Sequence, residues 1–221
     1  MIKLIIVGGS PRSGTTLIQN ILDSHPDIYG GPEFGQLPAI IKLRRSMHEH
    51  INAGLISDYL SIEEADQGLR KLILDWFSLT AARKGVKTIS EKTPENALYL
   101  NELLELIPPA IGIHVVRDPR AILASMIKVE KRYVAKGLIV PERLASIPAM
   151  CTTIAKHFVQ GLRAVELHND CALTINYEKL VMEPQTEICQ ICDFIKVPFD
   201  AAMLHPMNHK WSSPRKLDHV K

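Results

Sequence analysis

The chain has 221 residues, 46% hydrophobic and 23% charged, which suits one globular domain able to bury a core. Lysine and arginine number 26 against 24 acidic residues, a balance that argues against nucleic acid as a partner and leaves local basic clusters for small anions. No segment approaches the roughly 20 apolar residues of a membrane span. The first apolar run is short and contains Lys3, so neither a leader peptide nor a membrane partner is expected, and a cytoplasmic location is the default.

Residues 2–7 read as a buried strand and 14–23 as the helix it feeds. Between them lies Ser10-Pro11-Arg12-Ser13-Gly14-Thr15-Thr16. A strand that ends in a small-residue turn and restarts as a helix converges backbone N–H groups where the helix dipole favours an anion. An ATP-type loop reads G-x-x-x-x-G-K-[ST]. Gly9 and Gly14 keep that spacing, but Thr15 stands where the lysine belongs and the positive charge sits earlier, at Arg12. This loop suits a phosphate-like anion and lacks the usual grip on a triphosphate.

His25-Pro26 ends the first helix, and Gly30-Gly31-Pro32 is a turn leading to Glu33. Residues 35–84 are mainly helical, with breaks near Gly54 and Ser61. Residues 86–90 are a short strand with Lys92 just beyond, and 94–107 a helix stopped by Pro108-Pro109. Residues 111–116 form a second buried strand, followed by Arg117-Asp118-Pro119-Arg120. Pro119 suits the first turn of a helix running to about residue 128, with Ser125 two turns beyond Arg117 and Asp118 near its N-terminus. Residues 141–168 read as one long helix, 172–176 as a strand followed by Tyr177, and 186–194 as a last helix. The tail from Pro206 has little periodicity. Strands alternating with helices predict a single α/β domain over residues 1–221, with a P-loop-type parallel sheet flanked by helices on both faces.

Cys189 and Cys192 make a C-x-x-C, but no second Cys/His pair has ligand spacing, and Ile188, Ile191 and Ile195 mark the buried face of a helix. None of the nine histidines pairs at metal spacing, so no metal site is expected. Glu33, Lys92, Arg117 and Tyr177 all fall at strand ends or turns, where ligand groups gather in open α/β sheets.

Together these residues resemble the sulfotransferases that use 3'-phosphoadenosine-5'-phosphosulfate (PAPS), and most of all the tyrosylprotein sulfotransferase branch. The resemblance runs from about residue 4 to about 204. Pro11 to Thr16 looks like the 5'-phosphosulfate loop, with Arg12 its basic residue, and Val116-Arg117-Asp118-Pro119-Arg120 through Ser125 like the 3'-phosphate motif. Glu33 falls at the catalytic glutamate of that branch and Lys92, in Glu91-Lys92-Thr93-Pro94, at its catalytic lysine. Asn176-Tyr177-Glu178-Lys179-Leu180-Val181 is similar to its later nucleotide-contact segment. Two positions depart from it. Val129 stands where the branch has a second basic residue, and Phe34 follows Glu33 where it has an arginine for acidic peptide.

The resemblance implies transfer of a sulfuryl group from PAPS, as co-substrate, to an acceptor with a hydroxyl group (a small alcohol or phenol, a sugar or a peptide tyrosine), with an amine as the lesser alternative. Glu33 would take the acceptor proton, while Arg12 and Lys92 would neutralise charge at the sulfonate and bridging oxygen. Arg12, Ser13, Gly14, Thr15, Thr16, Arg117, Ser125 and Tyr177 would bind the nucleotide. The sulfonate carries one charge, so no metal is required. In the tail, Ser212, Ser213 and Arg215 are weaker nucleotide candidates. Two other readings stay open: a P-loop phosphotransferase using ATP and Mg²⁺, and a nucleotide-binding protein of this fold without turnover.

Overall fold

The computed structural model describes residues 2–206, and its centre is strand β1 (Lys3–Gly9). With β2 (Ile28–Gly30), β3 (Thr88–Lys92), β4 (Ile111–Val116) and β5 (Ala172–Asn176) it forms one sheet in the order β2-β3-β1-β4-β5. Every strand pair is parallel. A parallel sheet is covered on both faces, which is why β1 reads as a continuous apolar run rather than an alternating one. Leu4 and Ile6 enter one core, and Ile5 and Val7 the other.

The first core is closed by α2 (Leu37–Asn52), α3 (Ile62–Lys84) and α4 (Leu100–Leu106), through residues such as Ile41, Ile73 and Leu103. The second is closed by α1 (Thr15–Asp23) and α8 (Pro184–Ile195). On α8, Ile188, Ile191, Cys192 and Ile195 are all buried, as their spacing predicts, and all four cysteines of the chain are free thiols. A third cluster joins α5 (Pro119–Ala135) to α6 (Ile147–Leu167) through Ile122, Met126, Met150 and Ile154.

Several elements differ from the sequence expectation. β2 was not foreseen, because Ile28-Tyr29-Gly30 is too short to show alternation and ends in glycine. β3 runs to Lys92, so Glu91 and Lys92 lie inside the strand and are buried rather than just beyond it. Pro94–Leu98 is a 3₁₀ turn preceding α4. α5 passes residue 128 and reaches Ala135, since nothing breaks it before Gly137, whose φ is 64°. The stretch from Pro141 is broken: Glu142–Leu144 is a 3₁₀ turn, and Ser146 caps α6 by accepting the Ala149 N–H. Tyr177–Met182 is a short helix, α7, capped by the Asn176 side chain.

Among the described residues no helix is long and apolar enough to cross a membrane. The tail candidates Ser212, Ser213 and Arg215 lie outside the described residues.

Candidate active site

In the sheet order, β1 and β4 are neighbours although most of the chain between them lies on the other side of β1. Such a switch point leaves a crevice beyond the strand ends. The loop after β1 and Arg117 after β4 both open into it.

The loop is shaped by its backbone. The Ser13 N–H donates to the Ser10 carbonyl at 2.9 Å. Arg12 has φ 78° and Gly14 φ 105°, both left-handed. Gly14 is required twice over, because a Cβ there would also lie 2.3 Å from the Tyr177 ring. The loop fits a phosphate-like group on three counts. Among the described residues no side chain caps α1, which leaves the Thr15 and Thr16 N–H groups at its start without a side-chain partner. That turn carries no acidic residue. The Ser13 hydroxyl is buried and has no hydrogen-bond partner among the described residues.

Arg117 is braced from two sides. Its Nη1 donates to the Arg12 carbonyl at 3.2 Å, and its guanidinium stacks 4.2 Å from the centroid of the Tyr177 ring. Its Nε is buried without a partner among the described residues. The Arg12 side chain reaches across, with Nε donating to Ser125 Oγ at 3.0 Å. Arg12, Ser125, Arg117 and Tyr177, foreseen as nucleotide contacts, therefore form one connected group. Asp118 is structural: it caps α5, and Arg120 holds its carboxyl down at about 2.

A cavity of about 460 Å³ adjoins this group. It is lined by Arg12, Thr15 and Thr16 of the loop, by Glu33 and Lys92, and by Val129 and Arg143. Val129, which replaces a basic residue of the resembled motif, thus faces the cavity, whereas its neighbour Lys128 is exposed outside it.

Lys92 is 3% exposed, and its Nζ donates to Glu33 Oε1 at 2.6 Å. Thr16 Oγ1 lies 3.5 Å from the same nitrogen. Strand alternation explains the arrangement: Lys92 points to the α1 face of β3 and Glu91 to the opposite face.

Glu33 is held by a loop fastened from both faces of the sheet. Asp23 at the end of α1 accepts the Gly30 N–H at 2.6 Å. Gln19 donates to the carbonyls of Gly31 and Ser90, each at 3.0 Å, and accepts from the Ser90 hydroxyl. Beyond Glu33, the Phe34 N–H donates to Glu91 and the Gly35 N–H to Thr93, both at 3.2 Å. The Phe34 ring packs edge-on against Trp76 and Phe77.

Sequence reading missed Gln19, Thr93, Asn96 and Arg143 in this region. The legible signal was Ser90-Glu91-Lys92, a polar run in a strand otherwise read as buried. His25 is a fold contact, its Nε2 lying 3.0 Å from the Pro198 carbonyl. Among the described residues no three His, Cys, Asp or Glu side chains cluster as metal ligands would.

Residues 5–201 match the model of the Sulfotransferase family. Over 204 residues the chain is 28% identical to protein-tyrosine sulfotransferase 1 of Danio rerio, a match covering 91% of this chain and 55% of that protein. The chain therefore spans about half the length of that relative. The sulfotransferase domain from the curacin biosynthetic pathway aligns with a TM-score of 0.66 at 22% identity, covering 100% of this chain and 82% of that domain. Mouse sulfotransferase SULT7A1, solved complexed with PAP, aligns with a TM-score of 0.55 at 15% identity, covering 97% of this chain and 69% of that one. Both structures share the α/β fold built on a parallel sheet.

Proposed function

This chain belongs to the sulfotransferase family, and we propose that it transfers a sulfuryl group from PAPS to an acceptor hydroxyl, releasing adenosine 3',5'-bisphosphate. The observation that carries this reading is the Glu33–Lys92 pair, a carboxylate and an ammonium held 2.6 Å apart beside an open anion loop. The likeness to a sulfotransferase solved with PAP supports the choice of donor.

In this reading Arg12, Ser13, Gly14, Thr15 and Thr16 hold the 5'-phosphosulfate. Arg117 and Ser125 hold the 3'-phosphate, and Tyr177 keeps the Arg117 guanidinium over its ring while contacting the nucleotide. Glu33 accepts the acceptor's hydroxyl proton as the new O–S bond forms. The bond from sulfur to the bridging oxygen breaks, and its electron pair leaves with the 5'-phosphate. Lys92 and Arg12 face the oxygens on which charge grows. Preorganised donors of that kind are worth roughly 2.7–4 kcal/mol each. The acceptor is a hydroxyl-bearing molecule, with peptide tyrosine favoured by the similarity to a protein-tyrosine sulfotransferase.

Calorimetry tests the donor. Adenosine 3',5'-bisphosphate should bind far more tightly than 5'-AMP or ATP–Mg²⁺, and labelled sulfur from PAPS should appear on a member of a panel of tyrosine peptides, sugars and phenols. Equal affinity for the bisphosphate and 5'-AMP, with no transfer, would overturn the reading.

A further inference from the structure

Glu91 is a buried carboxylate, 3% exposed, that no step above uses. Among the described residues three groups donate to it. Thr93 Oγ1 reaches Oε1 at 2.6 Å, Asn96 Nδ2 reaches Oε2 at 2.5 Å, and the Phe34 N–H reaches Oε1 at 3.2 Å. Burial pushes its pKa up, and these donors together with adjoining Lys92 pull it back. Burying a carboxylate is costly unless its lone pairs are satisfied, and leaving those donors without it would be costly as well.

The loop it grips needs an anchor. Glu33 lines both the 460 Å³ cavity and a second one of about 340 Å³, which Tyr29, Phe34, Phe77 and Glu91 also line. Phe34 packs on Trp76 and Phe77, but Glu33 itself borders open volume in both cavities, so its position rests on the hydrogen bonds of the loop around it. The Gly30 and Gly31 bonds to α1 hold the loop before Glu33, and those from Phe34 and Gly35 hold it immediately after. Thr93 joins the latter two, because its hydroxyl donates to Glu91 and accepts the Gly35 N–H.

We propose that Glu91 is a positioning residue for the transfer reaction: through the Phe34 N–H and the Thr93 hydroxyl it sets where the Glu33 carboxylate stands. The proposal rests on the reading of Glu33 as the base. A shift of about 1 Å in a reacting group can cost on the order of 10² in rate. Glu91 therefore governs turnover through the loop that carries Glu33.

The variants are Glu91→Leu, Glu91→Gln and Thr93→Val, each also made with Glu33→Gln. Gln retains a carbonyl for Phe34 and Thr93, and its amide can meet the Asn96 Oδ1, buried without a partner among the described residues, if the Asn96 amide turns over and gives up its bond to the Val7 carbonyl. Glu91→Leu should lower kcat by about 10–100-fold with unchanged affinity for adenosine 3',5'-bisphosphate. Thr93→Val, a milder change that keeps the side-chain shape, should lower it in the same direction. Glu91→Gln should retain most turnover. Hydrogen exchange at the Phe34 and Gly35 amides should quicken in the Leu and Val variants and little in Gln.

On a Glu33→Gln background the Leu and Val changes should cost almost nothing more, because residues acting through one another are not additive. If Glu91→Gln is as damaging as Glu33→Gln, Glu91 takes the proton itself and the positioning role is wrong. If Thr93→Val leaves both kcat and amide exchange unchanged, the anchor is wrong, even should Glu91→Leu fail to fold. Normal kcat in Glu33→Gln alone would remove the base reading, whereas the exchange result would still report on the anchor.

Discussion

Lys92 and Glu33 are 59 residues apart in sequence and make a 2.6 Å ion pair whose two ends differ in solvent access. The Lys92 side chain is 3% exposed and the Glu33 side chain 29%. Removing the carboxylate strands a buried ammonium, and removing the ammonium leaves a carboxylate that water can reach. Glu33→Gln should therefore lower the melting temperature more than Lys92→Met does. The reverse order in thermal unfolding would mean that the buried end of the pair is not the costly one.

The same Glu33→Gln protein tests the chemistry. It keeps the side-chain shape and removes the base, so kcat should fall by about 10²–10⁴. Affinity for adenosine 3',5'-bisphosphate should hold, because Glu33 is not among the groups assigned to the nucleotide. Steady-state kinetics with whichever acceptor turns over, beside a nucleotide titration, separates the two effects. Near-normal kcat would move the base elsewhere.

Arg117 carries the prediction on donor selectivity. It is held by the Arg12 carbonyl and the Tyr177 ring, so its guanidinium is fixed before any nucleotide arrives. Hydrogen bonds to charged groups contribute about 1.5–3 kcal/mol, and Arg117→Ala should lose that much affinity for the 3',5'-bisphosphate and much less for 5'-AMP. An equal loss for both ligands would assign Arg117 to the 5' side.

Gly14 joins the anion loop to the Tyr177 ring. With φ at 105° and the ring 2.3 Å from where a Cβ would stand, Gly14→Ala must strain the backbone and push Tyr177 away. Both the loop and the stack on Arg117 should suffer. The loss of stability should exceed about 1 kcal/mol, since alanine is incompatible with that φ. Chemical denaturation and bisphosphate titration should both show a deficit, and an unchanged titration would free Tyr177 from nucleotide binding.

His114 gives the fold an acid limit. It sits on β4 with its ring against Gly161 of α6, where the neighbouring Gly8 backbone only partly offsets the cost of charging it. Burial, and then nearby His157, pull its pKa down to about 4 from 6.5. Between those values the unfolded chain binds the proton and the folded chain does not, so stability falls as pH falls. At about 1.4 kcal/mol per pKa unit the loss approaches about 3 kcal/mol. His157 is shifted the same way and adds to it. Urea unfolding at pH 7.5 and 4.5 should show the drop in the native protein and a smaller one in His114→Leu. An identical drop in both would place the acid lability elsewhere.

The anion loop is readable because its information is local. A buried strand, a small-residue turn and a helix start follow one another within residues 3–16, and the backbone closes through left-handed Arg12 and Gly14 beside a close approach at Gly9. The α8 face is readable for the same reason, since Ile188, Ile191, Cys192 and Ile195 repeat at the helical period. β2 is not: at three residues it exists because it pairs with β3, and nothing in its own composition requires a strand. The end of β3 is misread by two residues, and with it the burial of Glu91 and Lys92, because a polar strand end looks like a loop until the 3₁₀ turn and the 33–35 loop cover it.

The sequence by itself determined β1, β4, β5 and the helices α1 and α8, the parallel sheet and the chemical identity of Arg12, Glu33, Lys92, Arg117 and Ser125. Periodicity and turn chemistry act over a few residues and are written in order along the chain. Only the tertiary structure decided which of these groups meet. Arg12 and Ser125 are 113 residues apart, and Glu91 reaches back 57 residues to Phe34. Those distances close only because the strand order sets β3 and β4 on either side of β1, bringing three strand ends to one crevice.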